Sequence, residues 1–222
     1  MKKFVSWSGG KDCSFALYKY LQSGGDNVGC LLNMNRCNPN SGHRVSDELF
    51  HAQANAMGLP LIRERVDPAN SYIYHFEKAI NELKEQGYEA GIFGDLYLES
   101  HKVWIDAQCK RLGITPIYPL WNVDVHDIFR EFVEIGFKSK IIAVQLKDEY
   151  KELLGEDLSM DIYKKMVGFG ESYDVCGENG EFHTFVHNGP LFSKPLEIEI
   201  VDSYQNEKLR GITLDLKKLN SL

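Results

Sequence analysis

The sequence predicts an α/β protein, a mostly parallel sheet covered by helices on both faces, with a smaller C-terminal α+β subdomain. Three observations support this. Up to about residue 145, short apolar runs alternate with amphipathic stretches of helical period, the pattern of consecutive β-α-β units. The first run leads straight into Ser8-Gly9-Gly10 and then a helical stretch. After about Asp148 the alternation stops, and glycine-rich and period-two segments replace it.

The elements follow in order. Lys3–Ser6 reads as a strand, then a glycine turn, then a helix from about Asp12 to Gln22 closed by Gly24-Gly25. Val28–Asn33 is a second strand, and Asn35–Arg44 a polar loop rich in Asn, Pro and Gly. Ser46 caps a helix that runs to Met57 and stops at Gly58. Leu61–Val66 is the third strand. Phe76–Gln86 is a helix with Phe76, Ala79, Ile80 and Leu83 on one face. Ala90–Phe93 is the fourth strand, His101–Leu112 a helix closed by Gly113, and a fifth strand runs from Ile117 to near Trp121. Asp124 and Asp127 open another helix, and Lys140–Gln145 is a sixth strand. Beyond it, Asp161–Val167 reads as a helix, and Ile198–Val201 and Ile212–Leu216 as strands. The expected division is 1–150 for a nucleotide-binding domain of Rossmann-like type and 151–222 for a substrate-binding subdomain, with the boundary between Lys147 and Leu158. Ligands of such sheets bind beyond the carboxyl ends of the strands, where the glycine-rich segments fall.

The chain has 222 residues and a net charge of −7, which argues against DNA or a large tRNA footprint as partner. No apolar run is long enough to span a membrane, and nothing near Met1 reads as a signal peptide, so a cytoplasmic location is expected. The five cysteines are scattered, with no pair at metal or redox spacing, and read as reduced thiols. The chain is compatible with a homodimer.

Ser8-Gly9-Gly10-Lys11-Asp12-Cys13-Ser14 between strand and helix is a phosphate-binding arrangement. The glycines let successive N–H groups face an anion, and the helix adds its own free N–H groups and dipole. Lys11 supplies a full charge, Ser8 and Ser14 supply hydroxyls, and Asp12 suits Mg²⁺ or the helix start. The spacing is neither that of a Walker A loop nor of a dinucleotide fingerprint.

The second segment is Cys176-Gly177-Glu178-Asn179-Gly180-Glu181-Phe182-His183-Thr184. If it is extended from Glu181, Glu181 and His183 share one face and Phe182 and Thr184 the other. Close acidic neighbours are then expected to raise the His183 pKa. The same residues also fit a plain hairpin with a polar turn.

Together these segments resemble the diphthine–ammonia ligase family of PP-loop ATP pyrophosphatases. The supporting residues are Ser8 to Cys13, Gly94-Asp95, Pro119-Leu120-Trp121 and Gly177 to Phe182, in family order over nearly the whole chain. The resemblance implies a sheet of the adenine-nucleotide hydrolase type. It implies ATP cleavage to AMP and pyrophosphate, adenylation of a substrate carboxylate and amidation by ammonia. In the family that carboxylate is diphthine of elongation factor 2. The usual signature runs Glu-Gly-Gly-Glu-Tyr/Phe-Glu, whereas Asn179 and His183 stand here at its second and last positions. This is similar to a sister group with Glu-Asn-Gly-Glu-Phe-His, so a small-molecule carboxylate or amide is the alternative substrate.

The expected roles follow from the chemistry. Ser8, Gly9, Gly10, Lys11, Asp12, Cys13, Ser14, Gly94 and Asp95 bind ATP, the backbone N–H groups of Gly9 to Asp12 hold the leaving pyrophosphate, and Asp12 ligates Mg²⁺. Asp95 binds metal or substrate, or starts a helix. Glu178, Glu181 and His183 orient the amine and take its proton. His43, Arg44, Asn179, Gly180 and Thr184 contact substrate, and Trp121 stacks on adenine or packs. A tRNA-modifying PP-loop enzyme and a nucleotide sensor without turnover are the rival classes.

Overall fold

The computed structural model describes residues 1–36 and 45–217. His43 and Arg44, two of the expected substrate residues, lie outside the described residues, as does Cys37. In chain order the elements are β1 (Lys2–Ser6), α1 (Lys11–Gln22), β2 (Val28–Arg36), α2 (Asp47–Met57), β3 (Leu61–Val66), α3 (Tyr72–Glu85), β4 (Tyr88–Ile92), α4 (Glu99–Leu112), β5 (Thr115–Ile117), α5 (Val125–Glu134) and β6 (Lys138–Gln145). A 3₁₀ turn (Asp148–Leu153), α6 (Met160–Gly168), β7 (Phe182–Asn188), β8 (Ile198–Gln205) and β9 (Leu209–Leu216) complete the described chain.

Two compact units account for these elements. The first takes Met1–Ser8, the chain from Asp12 through β2, and Leu59–Val123. It holds a five-stranded, all-parallel sheet in the order β3-β2-β1-β4-β5. The chain winds outward from β1 to β3 and then returns to the other side of β1 with β4. That reversal puts a crevice at the carboxyl ends of β1 and β4, where sheets of this kind take their ligands. Phe76, Ala79, Ile80 and Leu83 of α3 are buried against this sheet, as their helical spacing predicts. Each large apolar side chain buried this way contributes roughly 1.5–3 kcal/mol.

The second unit takes Gly9–Lys11, the segment holding α2, and the chain from Asp124 onward. Its sheet is antiparallel, in the order β7-β6-β9-β8. Leu49 and Ala56 of α2 pack with Ile142, Phe185, Ile212 and Leu214. Ser46 accepts the Leu49 N–H at 3.2 Å, and Gly58 closes α2 in the left-handed region at φ 66°, both as the sequence predicts.

Several boundaries differ from expectation. The division falls at Val123/Asp124 rather than between 147 and 158, because α5 and β6 belong to the second unit. Strand β6 is a central antiparallel strand, not a sixth parallel one. Its run Ile141–Val144 is buried throughout, and a continuous apolar run carries no information about strand direction. The fifth strand is only Thr115–Ile117; Leu120-Trp121 lies in the turn after it, past Pro119. Helix α3 starts at Tyr72, capped by Ser71, four residues before the first position of its apolar face. Among the described residues no helix is long and apolar enough to cross a membrane.

Candidate active site

In the first unit, a polar chain fixes the exit from β1. Trp7 N–H donates to the Leu32 carbonyl at 2.8 Å, continuing the pairing with β2 for one residue. The buried Asn33 amide donates to the Trp7 carbonyl at 2.7 Å and accepts from Arg63 Nε at 3.1 Å. Asn33 and Arg63 were not among the expected residues; an Asn directly after the apolar run Cys30–Leu32 of β2 is the signal that marks the first, and nothing in the charged run Arg63–Arg65 of β3 singles out the second. Ser8 Oγ then lies 3.4 Å from Cys13 Sγ, and Asp12 occupies the first turn of α1, half-buried.

Gly94 and Asp95 follow β4. A Cβ on Gly94 would stand 2.8 Å from both the Asp12 carbonyl carbon and the Cys13 nitrogen, so only glycine lets the β4 loop approach the start of α1 this closely. Asp95 does not cap α4, whose N-cap is Leu98. Its carboxylate lies 3.4 Å from His101 Nδ1. Burial pushes the Asp95 pKa up; His101 draws it down and the Asp12 charge adds to the rise. Two carboxylates that repel one another at a strand end are the oxygen donors a hard divalent cation favours. Trp121 is half-buried, with the Tyr118 ring at 6.0 Å and Lys102 Nζ 5.6 Å above its own.

In the second unit, Gly9–Lys11 of the loop are bound to β7. Val186 N–H donates to the Gly9 carbonyl at 2.9 Å. The fully buried Gln53 amide donates to the same carbonyl at 3.0 Å and to the Val186 carbonyl at 2.6 Å. Gln53 is a further residue the sequence reading missed, marked by a polar side chain on the apolar face of α2. Gly9 sits at φ 79°, where a side chain would meet Gln53 and Phe50 at 3.0 Å.

Lys11 N–H donates to Thr184 Oγ1 at 3.0 Å. This corrects two expectations. Thr184 is buried and spends its hydroxyl on the loop, and the Lys11 amide is already paired. The Lys11 side chain is only 2% exposed, with Nζ 5.7 Å from the centre of the Phe182 ring. His183 also departs from expectation. Its pKa is lowered to about 4, first by burial and then by the Lys11 charge, where acidic neighbours were expected to raise it. Such an imidazole is neutral near pH 7 and a weak base.

The acidic turn before β7 is largely self-satisfied. Asp174 accepts the N–H groups of Cys176 at 2.7 Å and Glu178 at 3.2 Å. Buried Glu181 accepts from Asn179 N–H at 3.1 Å, from Asp174 N–H at 3.4 Å and from the Asn179 side-chain amide at 3.4 Å. Glu178 and Gly180 are half-buried and Asn179 is exposed.

Comparison with known proteins matches two family models in succession: the diphthamide synthase N-terminal domain over residues 1–116 and the diphthamide synthase C-terminal domain over residues 124–221. Curated relatives run through most of the chain. A diphthine–ammonia ligase of Bos taurus is 30% identical, covering 88% of this chain and 81% of its own. The human diphthine–ammonia ligase is 29% identical over the same shares. That of Danio rerio is 26% identical, covering 88% of this chain and 86% of its own. With both domain models matched in order over a sheet that reverses at β1 and β4, the chain belongs to the diphthamide synthase family.

Proposed function

We propose that this chain is an ATP-dependent amide ligase that cleaves ATP to AMP and pyrophosphate. A carboxylate oxygen of the substrate attacks the α-phosphorus and pyrophosphate leaves. Ammonia then attacks the acyl carbon, AMP departs as leaving group, and the surplus proton passes to solvent or a nearby base. The reading rests above all on the loop Ser8–Ser14 at the point where the parallel sheet reverses. Relatives named for diphthine and ammonia support the reaction class.

Ser8, Gly10, Cys13 and Ser14 are assigned to the nucleotide with the start of α1, whose dipole and N–H groups favour an anion. Lys11 supplies a fixed charge for the phosphates. Thr184 and Gln53 are assigned as positioning residues, because they hold the backbone of Lys11 and Gly9. Asp12 and Asp95 would hold Mg²⁺, which when bound neutralises phosphate charge. Gly94 keeps those two segments in reach of each other. Glu178 is the residue proposed to take the amine proton. Glu181 shapes the turn that carries Glu178, Asn179 and Gly180 to the substrate. His183, neutral and weakly basic, serves as a hydrogen-bonding group rather than the base.

The substrate proposed first is the diphthine carboxylate of elongation factor 2, the substrate class for which the relatives are named. Asn179 and His183 favour a second reading, a small-molecule carboxylate, since they change two side chains of the signature turn. The test is to incubate the protein with ATP, Mg²⁺, ammonium and each candidate carboxylate and identify the nucleotide products by mass spectrometry. AMP and pyrophosphate, together with an amidated product, support the ligase. Asp12→Ala should lower turnover by ~10²-fold or more. ATP binding with no turnover on any candidate leaves a nucleotide sensor.

A further inference from the structure

The second unit holds a cavity of about 280 Å³, and none of the residues that line it is assigned above to nucleotide or substrate. His187 and Asn188, at the end of β7, form one wall. Lys140 of β6 and Asp157 form another, and a backbone bridge between these two residues holds them side by side. Leu196 and Ile198 supply an apolar side. The volume lies at the lower end of the range for small-molecule pockets.

The polar groups of the cavity are fixed but not exhausted. Lys140 Nζ donates to the Gly155 carbonyl at 3.0 Å and to Asp157 Oδ1 at 3.2 Å. An ammonium has three N–H groups, and the third has no partner among the described residues. His187 Nε2 bonds the same Asp157 oxygen at 2.9 Å, which leaves Oδ2 open among the described residues. Together, His187 first, these two groups hold the Asp157 carboxyl below its usual pKa, so it is charged near pH 7 and His187 Nε2–H donates to it. Asn188 accepts the Gly189 N–H with its own Oδ1 at 2.9 Å, and its side-chain NH₂ remains to give. These groups are reachable: the Lys140 and His187 side chains are each 17% exposed and that of Asp157 43%.

The charges select the ligand. An anion alone would face Asp157 and the Glu197 carboxylate at the rim, and a cation alone would face Lys140. A ligand that carries both signs satisfies both. Because Lys140 Nζ and Asp157 are in contact, the two charges of the ligand must also stand close together, as ammonium and carboxylate do on the single carbon of an α-amino acid. Leu196 and Ile198 favour an apolar side chain. We propose that this cavity binds a free apolar α-amino acid, with its ammonium on Asp157 Oδ2 and its carboxylate on Lys140 and the Asn188 amide.

The experiment follows the amide NMR spectrum of the full chain during titration with L-leucine. The Asn188 side-chain amide and the His187 backbone amide should shift and saturate. Leucinamide lacks the carboxylate and 4-methylpentanoate lacks the ammonium, so each should bind at least about tenfold more weakly. Glycine lacks the apolar side chain and should lose a similar factor, about tenfold. Asn188→Asp keeps the oxygen that accepts the Gly189 N–H and turns the open donor into a carboxylate, so it should keep the fold and weaken leucine about tenfold or more. Lys140→Met should weaken leucine at least as much. No saturable shift at the end of β7, affinity for leucinamide or 4-methylpentanoate equal to that for leucine, or undiminished affinity in the two variants overturns the site. If either variant fails to fold, the analogue series on the wild type decides alone. The titration needs neither ATP nor turnover, so its outcome is separate from that of the ligase reading.

Discussion

Gly94→Ala adds a single methyl group where two backbone segments touch. The new Cβ would stand 2.8 Å from the Asp12 carbonyl carbon and the Cys13 nitrogen and 2.9 Å from the Asp12 oxygen. Ordinary contact begins near 3.4 Å, so the β4 loop and the first turn of α1 must part by about 0.6 Å. No rotamer relieves the clash, because all three atoms are backbone. Overpacking of this kind costs about 1–3 kcal/mol, or roughly 2–12 °C in a chain of this size. The larger effect should fall on the nucleotide. Shifting Asp12 and the α1 N–H groups by half an ångström should weaken ATP binding about ten- to a hundredfold. Calorimetric titration with ATP and Mg²⁺ measures this directly. Gly168→Ala is the control: it meets nothing within 4 Å, so it should change stability by no more than about 1 kcal/mol. If Gly94→Ala binds ATP as tightly as the wild type, the approach of β4 to α1 does not shape the phosphate site.

Other consequences follow from the same geometry. Thr184→Val removes the acceptor for a buried amide, so it should cost about 1–3 kcal/mol and speed hydrogen exchange at Lys11 N–H. The His183 pKa of about 4 sets a pH dependence. Between about 4 and 6.5 the unfolded chain binds a proton that the folded state refuses, so stability should rise with pH across that window and level off above it, by about 3 kcal/mol in all. Denaturant melts of His183→Asn should show a flatter acid limb. Imidazole NMR of Lys11→Met should show only a partial recovery of the His183 pKa, because burial is the larger cause.

Several helices were legible in the sequence because their signals are local. The α2 stop at Gly58 and the α3 face from Phe76 to Leu83 follow from capping and period alone. The loop and the Gly94-Asp95 strand end were equally readable, because strand-turn-helix order fixes where a loop lies relative to a parallel sheet. What escaped depends on partners far along the chain. The direction of β6 is set by β7 and β9, and nothing inside Lys138–Gln145 records them. The division at Asp124 was missed for the same reason. The His183 shift was read with the wrong sign because Lys11, 172 positions earlier in the sequence, supplies the charge that matters, and burial dominates. Glu181 looked like a reactive carboxylate because its donors are the turn's own backbone amides, which residue types do not reveal.

The binding of Gly9 and Lys11 to β7 carries a consequence for the order of synthesis. These residues leave the ribosome well before β7 does: the acceptor for the Lys11 N–H is 173 positions further along the chain, and the Val186 carbonyl that Gln53 also binds is 133 positions from Gln53. A nascent chain that has only reached Val123 contains every strand of the parallel sheet and lacks β7, the strand to which Gly9 and Lys11 are bonded. Contacts of such long range form late. Competence to hold a nucleotide should therefore appear abruptly, once β7 has emerged, rather than grow with the length of chain released.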